Sequence, residues 1–131
     1  MLRNKTIMGM FLVSISVLLL SGCYKDKTVI FDTGEEITRP VGFAADILPI
    51  FNNSCNTSGC HSAGGISPDL SAANAYNSLS AGSYFNVGDP VSSELYLWMT
   101  GKNGAPMPTN GINQDYNALI LAWIKQGAQN N

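Results

Sequence analysis

The sequence predicts an all-α domain of short helices with long loops, and three observations carry that expectation. Apolar residues recur at helical spacing in several segments, most clearly at Tyr116, Leu119, Ile120, Trp123 and Ile124. No segment alternates apolar and polar residues over a comparable length, as a half-buried strand would. Stretches rich in Gly, Pro, Ser and Asn separate the helical segments; residues 101–111 alone hold three Gly and two Pro.

Residues 1–22 read as an address and not as part of the fold. Arg3 and Lys5 precede an apolar run of 14 residues, Ile7 to Leu20. A membrane span needs roughly 20, so the run is expected to be an export signal, with an uncleaved N-terminal anchor as the other reading. It ends in Leu20-Ser21-Gly22-Cys23. This resembles the lipobox of bacterial lipoproteins, which implies a signal peptide over 1–22, cleavage before Cys23 and lipid on that Cys. Several acyl chains on one residue make a stable anchor. The residue after Cys23 is Tyr24 and not Asp, which by analogy with the enterobacterial sorting rule leans toward the outer membrane. The expected location is the cell envelope, lipid-anchored at the periplasmic face or on the outer membrane.

Beyond residue 22 remain 109 residues, enough for one domain and too few for two. They carry five Lys/Arg against nine Asp/Glu. That acidic balance argues against nucleic acid, whose phosphates need a basic face. Residues 24–41 are polar and hold half of these charged residues. With Cys23 they read as a tether, with one β-prone patch at Thr28–Phe31. The domain is expected over 42–131.

Within it, Asp46 is expected to cap a short helix whose first turn takes Pro49 and whose Ile47, Ile50 and Phe51 share a face. That helix delivers the chain to Cys55. Residues 62–68 are a loop by composition. Ser71 is expected to cap a helix through Ser80 with Ala72, Ala75, Tyr76 and Leu79 on one side. A loop over 81–90 follows, and Ser92 or Ser93 opens Glu94–Thr100, which carries Leu95, Trp98 and Met99. Residues 101–111 cannot be regular. The last helix is capped by Asn113, has Asp115 in its positive first turn and Lys125 in its last, and ends at Gly127. There is no repeat and no phosphate-binding glycine motif. A core built only from these stripes is thin for 109 residues, and a large apolar cofactor at the centre would thicken it.

The informative chemistry is Cys55-Asn56-Thr57-Ser58-Gly59-Cys60-His61. With Cys23 lipidated, Cys55 and Cys60 are the remaining thiols. They sit in an oxidising compartment, where such a pair is a disulfide, a metal site or a cofactor attachment. Two thiols followed by the sole His read as covalent haem attachment. The thiols add to the two vinyl groups, and the adjacent imidazole becomes the proximal iron ligand. The usual signature has two residues between the cysteines and this chain has four. The longer loop can bulge outward, with Gly59 supplying an unusual backbone angle. Two other readings stand beside it. One is a plain Cys55–Cys60 disulfide with His61 at the surface. The other is zinc or copper held by the two thiolates, His61 and a fourth ligand such as Met107.

Over roughly residues 43–131 the chain resembles the small, membrane-tethered c-type cytochromes of Bacteroidetes and related bacteria. The resemblance rests on Asp46-Ile47-Leu48-Pro49-Ile50-Phe51, Cys60-His61, Ser93-Glu94-Leu95-Tyr96, Met107-Pro108 and Trp123-Ile124-Lys125-Gln126-Gly127-Ala128. It implies a cytochrome c-like domain packed around one covalent haem c. The first and last helices would cross near Phe51 and Trp123, with Met107 as the distal iron ligand. Met99, beside Trp98 in a helix, reads as core packing; Trp98, Trp123 and Tyr96 read as core or haem wall. With both axial positions filled, one-electron exchange is the chemistry left. No paired carboxylates, second His or nucleophile–base pair suggests an enzyme. The expected function is an electron carrier serving redox partners of a respiratory chain. The competing class is a non-redox, disulfide-stapled surface lipoprotein that binds a partner or ligand; a sensor or peroxidase-like haem with a labile Met is a third possibility.

Overall fold

A computed structural model describes residues 34–131. Cys23, the lipobox and the β-prone patch at Thr28–Phe31 lie outside the described residues. Among the described residues the regular structure is helical throughout, with no strand. A π-helical turn, Phe43–Ile47, runs into α1, Leu48–Ser54. Then come α2, Ala75–Ala81, a 3-10 turn at Pro90–Ser92, α3, Glu94–Met99, and α4, Gln114–Lys125. None of these helices is long and apolar enough to cross a membrane.

The first helix starts earlier than the sequence suggests, and Asp46 is not its cap. Pro49 sits in the first turn of α1 as expected. It lacks an N–H, and its ring crowds the carbonyl four residues back, so the turn before it widens. The Leu48 N–H accordingly bonds the Phe43 carbonyl, five residues back. Asp46 lies inside that turn and reaches backward: its Oδ2 accepts the Gly42 N–H at 2.8 Å. The next two amides are capped by the far end of the chain. Phe43 N–H donates to Asn131 Oδ1 at 2.9 Å and Ala44 N–H to the Asn131 carbonyl at 2.8 Å. Groups that every helix start leaves unpaired are thus satisfied by a residue 88 positions away.

Ser71 likewise opens a turn and not the helix itself. Its carbonyl accepts from Asn74 and Ala75, and α2 begins at Ala75. Asp69 braces that turn: its carboxylate accepts the Ser71 N–H at 2.9 Å and Asn74 Nδ2 at 2.8 Å. Ser93 precedes α3 as expected, but its hydroxyl accepts the Asn86 N–H at 2.9 Å, tying the preceding loop to the helix.

The last helix follows the sequence closely. Asn113 Oδ1 accepts the Tyr116 N–H at 3.0 Å, and Asp115 and Lys125 occupy the first and last turns. Its buried face is wider than the stripe: Asn117, Ala118, Leu121 and Ala122 are buried beside Ile120, Trp123 and Ile124. Packing on both sides explains the width, because α4 meets the π-turn, the 3-10 turn and α3.

The core is held by aromatic rings. Phe43 stands between Phe51, Tyr76 and Trp123, with centroids 6.2, 5.3 and 5.4 Å away. Phe85 closes the group against Trp123 at 5.2 Å. The polar ends of the rings find backbone: Trp123 Nε1 donates to the Gln129 carbonyl and the Tyr76 hydroxyl to the Ala128 carbonyl. Residues 34–41, the last part of the expected tether, lie against this body. Val41 is buried and Ile37 packs on the core. The segment runs beside α4: Gly34 N–H donates to the Gln114 carbonyl, and the Gln126 side chain bonds both Arg39 O and Val41 N.

Candidate functional site

Helix α1 ends at Ser54 and presents Cys55 at its C-terminal edge. The Cys55 and Asn56 amides both bond the Phe51 carbonyl, at 2.9 and 2.7 Å. The chain then turns tightly: Cys60 N–H donates to the Thr57 carbonyl, and His61 N–H returns to the Cys55 carbonyl at 3.2 Å. Gly59 has φ +80°, the left-handed angle that this longer loop was expected to require. The four-residue spacing therefore closes on itself, with His61 brought back against Cys55.

The imidazole is fixed from behind. His61 Nδ1 lies 3.1 Å from both the Ile66 and the Pro68 carbonyl oxygens. Carbonyls only accept, so Nδ1 carries the proton and Nε2 keeps its lone pair. Two further backbone bonds, Ile66 N–H to Cys60 O and Leu70 N–H to His61 O, hold the loop that supplies those carbonyls. Both cysteines are free thiols. Burial, with the neighbouring Cys60 adding to it, pushes the Cys55 thiol up to about 11.

These residues open onto one cavity of about 390 Å³, within the ~300–1,000 Å³ usual for small-molecule and cofactor sites. Cys55, Cys60 and His61 line it, and Phe51, Leu70 and Pro68 add apolar wall. From α3 come Leu95, Trp98 and Met99, and from the irregular stretch after it Met107 and Pro108. Four residues singled out from sequence, Cys55, Cys60, His61 and Met107, thus line the same space. Met99 is core, as expected, at 3% exposure, but it also reaches the cavity wall. Trp98 is half-buried on that wall, while Tyr96 and Trp123 are buried away from it. Sequence reasoning missed Tyr84 and Glu94, which join the lining only because tertiary packing brings their loop and helix start to the mouth. The Glu94 carboxylate accepts the Trp98 Nε1–H at 3.4 Å. Ile66 stands at the mouth, 63% exposed.

Chemically, the arrangement offers two nucleophilic sulfurs on one short loop, a fixed imidazole nitrogen and thioethers from other elements, all facing an apolar space. Among the described residues no three His, Cys, Asp or Glu side chains are grouped so as to hold a bare metal ion. Comparison with protein-family models, curated proteins and solved structures finds no match.

Proposed function

We propose that this chain is a lipid-anchored, single-haem c-type cytochrome of the cell envelope, carrying one electron at a time between redox partners of a respiratory chain. The observation that carries the reading is the convergence of Cys55, Cys60, His61 and Met107 on one apolar cavity. The donor set suits haem c. Two thiols lie on a closed loop for the two vinyl groups, and an imidazole with its Nε2 lone pair available follows at once. The cavity also answers the thin core expected of short helices with long loops: a cytochrome c-like fold would pack its helices on the cofactor.

When bound, the haem supplies a reversible one-electron iron couple. The chain's own residues do the rest. Cys55 and Cys60 would hold the haem through thioether bonds. The Ile66 and Pro68 carbonyls orient His61 and fix its tautomer, which strengthens a ligand imidazole. Met107 would provide a thioether ligand, which favours the reduced iron more than a second imidazole would. Phe51, Leu70, Leu95 and Pro68 keep water away. His61 is the sole imidazole of the sequence; with it committed to the iron, the reading is transport of electrons.

The test is expression with a working haem-attachment system, then denaturing electrophoresis with haem-peroxidase staining and an absorption spectrum. The expected protein is red, keeps haem on the chain, and loses it entirely in His61→Ala. Met107→Ala loses the weak long-wavelength sulfur-to-iron band, and Met99→Ala keeps it. Mass spectrometry of the mature N-terminal peptide shows diacylglycerol on Cys23. A colourless product with a Cys55–Cys60 disulfide would overturn the proposal in favour of a stapled, non-redox lipoprotein.

A further inference from the structure

Beyond α3 the chain folds back on that helix and returns to one residue. Gly101 N–H donates to the Trp98 carbonyl at 3.2 Å, and Lys102 and Asn103 donate to the Leu97 carbonyl. Nine positions after Trp98, the Met107 N–H comes back to the same Trp98 carbonyl at 3.0 Å. Between these two contacts the strap passes over the indole. Gly104 has φ +142°, and a Cβ there would stand 3.3 Å from Trp98 Cζ3 and 3.6 Å from Cη2. The backbone runs beside the edge of the six-membered ring at a position where an L side chain would be both strained and crowded. The ring is itself held, because its Nε1–H donates to Glu94 Oε1 one turn earlier. Trp98 therefore touches the strap twice, through its carbonyl at Met107 and its ring at Gly104.

The consequence concerns a choice of ligand. Met107 and Met99 line the same cavity. Met99 belongs to α3 and the core, and Met107 belongs to a strap with no regular structure of its own. Resting on the haem reading above, we infer that Trp98 is the positioning residue for the distal ligand: it latches the 101–111 strap so that Met107, and not its helical neighbour Met99, is presented to the iron. With the latch closed, the Met107 amide is fixed at 3.0 Å from a helix carbonyl and its side chain emerges at the cavity wall. The Gly111 N–H to Pro108 carbonyl bond only closes the strap on itself.

The experiment uses the holoprotein in a Met99→Leu background, so that any sulfur-to-iron band comes from Met107. Trp98→Ala removes the ring, Glu94→Ala keeps the ring beside Gly104 and loses only its bond to the carboxylate, and Gly104→Ala pushes the strap off an intact indole. Three quantities are read: the band, the reduction potential, and hydrogen exchange of the Met107 amide. Trp98→Ala and Gly104→Ala are expected to lose the band, lower the potential, and speed Met107 exchange by roughly tenfold or more. Glu94→Ala is expected to keep the band. If Trp98→Ala fails to fold, Gly104→Ala decides. Variants that melt earlier yet keep the band, the potential and slow Met107 exchange would overturn the inference, since Trp98 would then be packing alone. If the Met99→Leu protein holds no haem, the reading under Proposed function fails instead; Met107 exchange in the colourless chain still decides the latch.

Discussion

Phe43→Ala removes the ring that joins the first turn to the last helix. Its side chain is 4% exposed and stands within 6.2 Å of the rings of Phe51, Tyr76 and Trp123, nearly edge-on to Tyr76 at 82°. Truncating a buried Phe costs about 3–5 kcal/mol through lost transfer energy and the cavity left behind. Aromatic pairs contribute about 0.5–1.5 kcal/mol each beyond burial, and three are lost, so the upper part of that range is expected. A domain of this size holds about 5–15 kcal/mol in all, so the variant sits close to its unfolding midpoint at room temperature or well down the slope toward it. Phe43→Leu keeps most of the apolar volume and loses the ring geometry, at roughly 1–2 kcal/mol. The assay is urea unfolding followed by tryptophan fluorescence, with free energies compared at unchanged m. Two results refute the reasoning: Phe43→Ala within about 1 kcal/mol of the parent, or Leu costing as much as Ala.

Asn113→Ala strands the Tyr116 N–H that the Asn113 side chain accepts at 3.0 Å, for about 1 kcal/mol and a melting temperature lower by about 4–8 °C; a calorimetric scan checks it. Asp46 is held below the usual carboxylate range, by Arg39 first and then by the Gly42 N–H. A carboxyl with its folded value depressed contributes stability that is present above its ordinary value of 3.8 and lost as pH falls through the lowered one. Urea midpoints of Asp46→Ala are therefore expected to show a shallower acid limb than the parent's, with the largest difference at neutral pH and convergence below the carboxylate range. In the chain before thioether formation, Cys55 is expected to react slowly with iodoacetamide at about pH 8 and to speed up toward pH 11, because burial raises its thiol from 9.0 to about 11. Stability from keeping that thiol protonated is whole below pH 9 and is lost as pH rises through 11; mass-spectrometric labelling rates that match a free thiol would contradict the burial.

What could be read from the sequence was local. The last helix carries its own cap, charges and stripe, so its start at Gln114 and its end at Lys125 follow from nearest neighbours. The Cys55–His61 loop also closes by short-range bonds, and its single left-handed angle falls on Gly59. The misplaced starts share a cause. Asp46 and Ser71 both have the chemistry of a cap, but each competes with a partner whose reach the linear pattern does not reveal: Asn131 from the far end, and Asp69 two residues back. The same holds for the site. Cys55, Cys60 and His61 are contiguous and legible, and Met107 stands out between two prolines. That Met99 shares their cavity, and that the polar segment 34–41 docks on the last helix, depend on packing between distant elements, which no window of sequence contains.

The docking of residues 34–41 sets a leash length. With Cys23 as the lipid-bearing residue, the chain between anchor and domain would span residues 24–41 if that segment were loose, a reach of about 65 Å at full extension. Clamped at Gly34 by Gln114 and at Arg39 and Val41 by Gln126, residues 34–41 no longer add to that length, and the upper bound set by the ten residues before them falls to about 35 Å. On the proposed reading, a carrier on so short a line would patrol a thin shell above the bilayer. It would meet partners fixed in the same membrane at a high effective concentration, and would not meet those whose electron entry point stands further out than the line extends.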